Sequence, residues 1–151
     1  MLGTLLFIAL SGCAAGVDTG NDEVTLDGPG TLLVSFSMEE DLIPSMEEEP
    51  VGEFLGSIFA EDDASAIGPA DGAEALEGLA VSMDLSSGTT TETYTTGPLE
   101  PGIYWILGCL DVDGNDCEAA DPITVPNENK FQVEADTEVS AAVFMSMLNP
   151  S

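Results

Sequence analysis

The stretch Asp111-Val112-Asp113-Gly114-Asn115-Asp116-Cys117-Glu118-Ala119-Ala120-Asp121 is the one place where residue types and spacing spell out a definite chemistry. Calcium takes about six to eight oxygen ligands at about 2.3–2.6 Å, many of them from carboxylates. Alternate residues of a tight loop can converge on one point. Asp111, Asp113 and Asn115 are therefore candidate calcium ligands, with Glu118 or Asp121 to complete the shell. The spacing is not that of an EF-hand, which needs its glycine where Asp116 stands and a glutamate where Pro122 stands. A second reading stays open. Asp, Asn and Gly are also the ordinary residues of a solvent-facing turn, chosen for local side-chain hydrogen bonds and positive φ.

Composition excludes most catalytic chemistry. The chain has no His, and Lys130 is its only basic residue. That removes the usual general base, the Ser and Cys triads, the commonest zinc ligand and most clamps for phosphate. Asp18-Thr19-Gly20 is the tripeptide of aspartic proteases, but here Gly and Asn flank it and no hydrophobic strand leads into it, so it reads as a linker turn. Carboxylate pairs among the 29 acidic residues leave a glycosidase conceivable. Nothing marks one pair out, and no residue is assigned a catalytic role.

The cysteines carry a different chemistry. Met1 to Leu10 is almost wholly apolar. It is too short to span a bilayer, which takes about 20 residues, and suits the core of a signal peptide. Leu10-Ser11-Gly12-Cys13 resembles the lipobox of bacterial lipoproteins: an aliphatic residue, two small residues, then cysteine. The resemblance implies that residues 1–12 are removed, that Cys13 takes a diacylglyceryl group on its thiol, and that residues 13–30 tether the domain to the membrane. Each acyl CH₂ buried in lipid contributes about 0.8 kcal/mol, so two or three chains hold firmly. Ala14 after the cysteine favours the outer membrane by that family's sorting habit. The segment departs from the pattern in having no Lys or Arg near its start, which leaves the natural start codon open. The competing reading is a buried strand at the head of the domain. With lipid on Cys13, Cys109 and Cys117 remain as an even pair. A disulfide in an oxidising compartment is expected, contributing about 2.6 kcal/mol by loop closure; two free buried thiols are the alternative.

These residues need a scaffold, and the hydrophobic pattern supplies one. The chain has 151 residues, room for one domain, and 44% of them are hydrophobic, enough for a core. Its net charge of −28 excludes the basic footprint that nucleic acid or anionic lipid requires. High salt, bound divalent cations, or an acidic surface kept for solubility would each account for the imbalance. Period-two alternation predicts strands over residues 31–38, 53–60, 79–85, 90–96 and 131–135, with a last strand over 139–148. The run from Ile103 to Leu110 is apolar on both faces and should be central. Ser86-Ser87-Gly88 is expected to join 79–85 and 90–96 as a hairpin, with 90–96 at an edge. Val24-Thr25-Leu26 is a candidate edge strand, and residues 73–76 hold at most one helical turn. Seven or so short strands with no long helix predict an all-β fold, a single antiparallel β-sandwich over residues 31–149. The acidic runs Glu39-Glu40-Asp41, Glu47-Glu48-Glu49 and Glu61-Asp62-Asp63 read as solvated loops.

Pro101-Gly102-x-Tyr104, the loop residues Asp111, Asp113, Gly114 and Asn115, and then Asp121-Pro122 resemble the core of transthyretin-like sandwiches, the fold of carboxypeptidase regulatory-like domains. The resemblance covers about the last fifty residues, Phe131-Gln132-Val133 and the closing strand included. It implies a structural, adhesive or carrier module. The expected function is therefore a non-enzymatic, lipid-anchored envelope protein, facing the periplasm or the cell surface, that binds a protein or glycan partner and calcium, but no nucleic acid. Two alternatives are an acidic coat protein with no specific ligand and a carboxylate-based hydrolase.

Overall fold

The computed structural model describes residues 27–150. Cys13, the signal-peptide stretch, Asp18-Thr19-Gly20 and Val24-Thr25-Leu26 lie outside the described residues. Ten strands follow in order: β1 Thr31–Met38, β2 Val51–Ala60, β3 Ala64–Ser65, β4 Gly68–Pro69, β5 Glu77–Asp84, β6 Thr89–Thr95, β7 Gly102–Asp111, β8 Pro122–Thr124, β9 Lys130–Val133 and β10 Glu138–Leu148. Short 3-10 turns at Glu40–Ser45, Glu61–Asp63 and Pro126–Glu128 are the only helical elements among the described residues. Among the described residues no helix is long and apolar enough to cross a membrane. Residues 73–76 form no helical turn.

The fold is all-β, and every long strand expected from alternation is present within two residues of its expected start and end. Its arrangement differs from an antiparallel sandwich. Eight strands form one mixed sheet in the order β5-β2-β7-β8-β10-β1-β6, with β9 paired to β7, and the sheet is nearly closed into a barrel. β1 and β10 run parallel from Thr31↔Glu138 to Met38↔Met145. Alternation fixes which side of a strand is buried but is the same for parallel and antiparallel neighbours, so it could not show this pairing.

The expected hairpin between residues 79–85 and 90–96 is also corrected. β5 pairs with β2 over eight residues, whereas β6 pairs with β1. The turn itself closes, the Gly88 N–H donating to the Leu85 carbonyl, but its outward groups are bonded elsewhere: the Leu85 N–H donates to the Pro50 carbonyl, and the Gly88 carbonyl accepts the Met38 N–H. The two strands therefore part at the turn and become the two ends of the sheet. Glu77 ties the far end of this seam, accepting the Tyr94 hydroxyl at 2.5 Å and the Gly97 N–H at 3.0 Å.

The barrel interior is filled by the inward set of each strand, including Leu32, Val34 and Phe36 of β1, Phe54 and Ile58 of β2, Ile106 and Leu110 of β7, and Val143 and Met145 of β10. Phe36 and Phe54 meet with ring centroids 5.0 Å apart. β7 is central, as its two apolar faces require. Its outer face, Trp105 and Leu107, packs with Phe59 and Ala64 as a second cluster beneath the segment that follows β2. There Lys130 lies 4.8 Å from the Trp105 ring and pairs with Glu61 at 2.7 Å.

Candidate functional site

β7 ends at Asp111 and β8 starts at Pro122, so the acidic loop spans one end of the barrel between two strands bridged at Cys109↔Ile123. Asp111 shapes the first turn. One of its carboxylate oxygens accepts the Gly114 N–H at 2.8 Å and the Asn115 N–H at 3.2 Å, the local bonding for which Asp is selected in turns. Gly114, Asp116 and Ala120 take positive φ of 79°, 69° and 77°. Left-handed backbone at two non-glycine residues needs support from the surroundings. Two constraints supply it. Cys109 and Cys117 stand at disulfide distance, with Cα atoms 5.8 Å apart. Asn149, just past β10, donates from its side chain to the Glu118 carbonyl at 2.8 Å, and its backbone accepts the Ala120 N–H and donates to the Asp121 carbonyl.

This frame brings Asp111, Asp113 and Asp121 together. One carboxylate oxygen from each lies within 4.8 Å of the others. Asn115 joins them by donating its side-chain amide to Asp113 at 2.7 Å. Glu118 meets the group through its backbone, whose N–H donates to Asp121 at 3.0 Å. Asp113, Asn115 and Glu118 are exposed, whereas Asp121 is only 4% exposed. Burial raises the Asp121 carboxyl above its ordinary value of 3.8; bonds from the Glu118 and Val112 N–H groups oppose the rise, and the charges of Asp111 and Asp113 add to it. An acid whose value is raised by folding costs no stability below its unfolded value. The deficit grows as pH climbs from the unfolded value through the raised one and is complete only above it. The charged Asp121 carboxylate, buried beside Asp111 and Asp113, therefore opposes the fold unless a proton or a cation joins it.

Glu47 and Glu48 were not among the expected ligands. They line a cavity of about 150 Å³ together with Asp113 and Asp121. They come from a distant loop, and no spacing rule in the sequence links them to residues 111–121. Comparison with protein-family models, with curated proteins and with solved structures finds no match for this chain.

Proposed function

We propose that the protein is a non-enzymatic, lipid-anchored module of the bacterial envelope that binds a divalent cation, calcium by its chemistry, at the Asp111–Asp113–Asp121 cluster. The observation that carries the cation reading is the mutual approach of these three carboxylates around a buried Asp121. Hard oxygen donors at this spacing suit calcium, and neither His nor a free thiol is available among the three for a softer metal. The Asn115 side-chain oxygen, loop carbonyls, Glu118, Glu47 or Glu48, and water would fill a shell of about six to eight oxygens. Such an ion would offset the charge repulsion that the apo cluster carries and brace the loop. The anchor reading rests on Leu10-Ser11-Gly12-Cys13, and the non-enzymatic reading on the absence of His and Arg. The partner expected at the envelope is a protein or glycan.

Calorimetric titration with calcium tests the cation site. One ion per chain is expected, with affinity lowered at least about tenfold in Asp121→Asn and in Asp113→Asn. Unchanged heats in both variants would leave an acidic coat protein as the better reading. Intact-mass analysis of protein purified from membranes tests the anchor, with acyl mass on Cys13 as the expected result.

A further inference from the structure

The outer face of the barrel carries a feature that the cation site does not use. Leu55 of β2, Cys109 of β7, Ile123 of β8 and Met147 of β10 are direct register partners on one face. Cys109 is buried beneath Cys117, so the partly exposed apolar side chains of this row are Leu55, Ile123 and Met147. The β3–β4 hairpin lies over this face and holds Ile67, 97% exposed, at its tip, while Met147 is 43% exposed at the end of the row. Grooves of about 510 and 500 Å³ flank the hairpin, and Pro69, Leu107 and Gly108 line both. No charged residue lines either groove. In a chain of net charge −28, an uncharged, partly exposed apolar surface is a feature to explain. Its border is acidic. Two residues from Leu55 along β2, on the same face, Glu53 is exposed, which puts a carboxylate about 7 Å from the apolar row; its register partner Asp111 belongs to the cation cluster.

We propose that this face docks a cationic amphipathic peptide segment of a partner protein. The segment would lay apolar side chains in the grooves beside the hairpin, against Leu55, Ile123 and Met147 and under Ile67, with Lys or Arg toward Glu53. Charge selects this occupant. A second copy would bring another −28 against the same surface, and an anionic bilayer is repelled in the same way. Apolar burial supplies the affinity, and the acidic border sets orientation and encounter rate. The inference rests on reading the domain as a binding module, and it does not depend on calcium being bound.

Two short synthetic peptides of equal charge test it, one alternating Leu with Lys and one alternating Ser with Lys, titrated against the full protein at about 0.15 M salt to screen non-specific attraction. The Leu-Lys peptide should bind at least about tenfold tighter. Ile67→Ser and Met147→Gln leave every charge in place and alter exposed side chains. Each should weaken the Leu-Lys peptide by about five- to twentyfold and leave the Ser-Lys peptide unmoved. Equal affinity for both peptides, or indifference of the Leu-Lys peptide to both substitutions, would overturn the proposal in favour of bare charge attraction. A dimer in sedimentation that Ile67→Ser abolishes would overturn it in favour of self-association. Calcium titration of the same two variants should match the unaltered protein, so the cation site and the peptide face fail or stand separately.

Discussion

Asn129 is fully buried, and its side chain takes the Phe144 N–H at 2.7 Å while donating to the Phe144 and Val125 carbonyls at 2.8 and 2.9 Å. Its own carbonyl accepts the Ile106 N–H. It thus stands in for a missing ladder where β8 gives way to β9 along β7. Asn129→Ala would leave a buried N–H and two carbonyls unpaired at about 1–3 kcal/mol for each group. A loss of at least about 3 kcal/mol in urea denaturation is expected, and a loss under about 1 kcal/mol would mean that water replaces the amide. The two tyrosines give a second test at this scale. Tyr94 is raised above 10.0 chiefly by its bond to Glu77, and Tyr104 chiefly by burial. For a phenol, a raised folded value means that the stabilisation is whole below pH 10 and is lost as pH rises from 10 through the raised value. Alkaline titration should therefore show neither phenolate half-formed at pH 10, and Tyr94→Phe should remove one of two late transitions. A tyrosine ionising at its ordinary value in the folded protein would break the Glu77 clamp account.

At the scale of elements, the central β2–β7 pair depends on glycine at one crossing. Gly56 and Gly108 are partners, and a Cβ on Gly108 would meet the Leu55 carbonyl oxygen, the Gly56 Cα at 2.6 Å and the Phe54 ring at 2.9 Å. Backbone cannot yield there, so Gly108→Ala should cost about 3 kcal/mol, the upper end of overpacking. Gly78→Ala, with nothing nearer than 4.0 Å, should be neutral or slightly stabilising. Similar melting points for the two variants would show that the sheet gives way more easily than its register suggests. The long strands were legible because alternation records burial: Leu32, Val34, Phe36 and Met38 mark the buried face of β1 directly. Pairing was not legible, because Ser86-Ser87-Gly88 permits a hairpin without enforcing one, and the bonds that part β5 from β6 come from Pro50 and Met38. β8 was missed because three residues beginning with Pro122 carry no period. Asp111, Asp113 and Asp121 were readable from spacing within one loop. Asn129 and Asn149 were not, since an asparagine in a loop sequence looks the same whether it is solvated or locks two strands.

For the molecule as a whole, 29 acidic residues against Lys130 mean that every folded conformation is compacted against its own charge. Monovalent salt should raise the melting temperature by screening alone, and divalent ions should do so somewhat more through general accumulation near the surface. A specific site adds saturation and dependence on particular side chains, because binding to the native state stabilises it as the logarithm of ligand over dissociation constant. The most direct measurement is a thermal melt of the purified domain in calcium chloride and in sodium chloride at equal ionic strength, repeated with Asp121→Asn. A larger, saturable rise with calcium that Asp121→Asn reduces to the small excess of general divalent accumulation is the predicted result; equal shifts with both salts in the unaltered protein, or a calcium rise that Asp121→Asn leaves unchanged, would contradict a cation site at Asp111, Asp113 and Asp121.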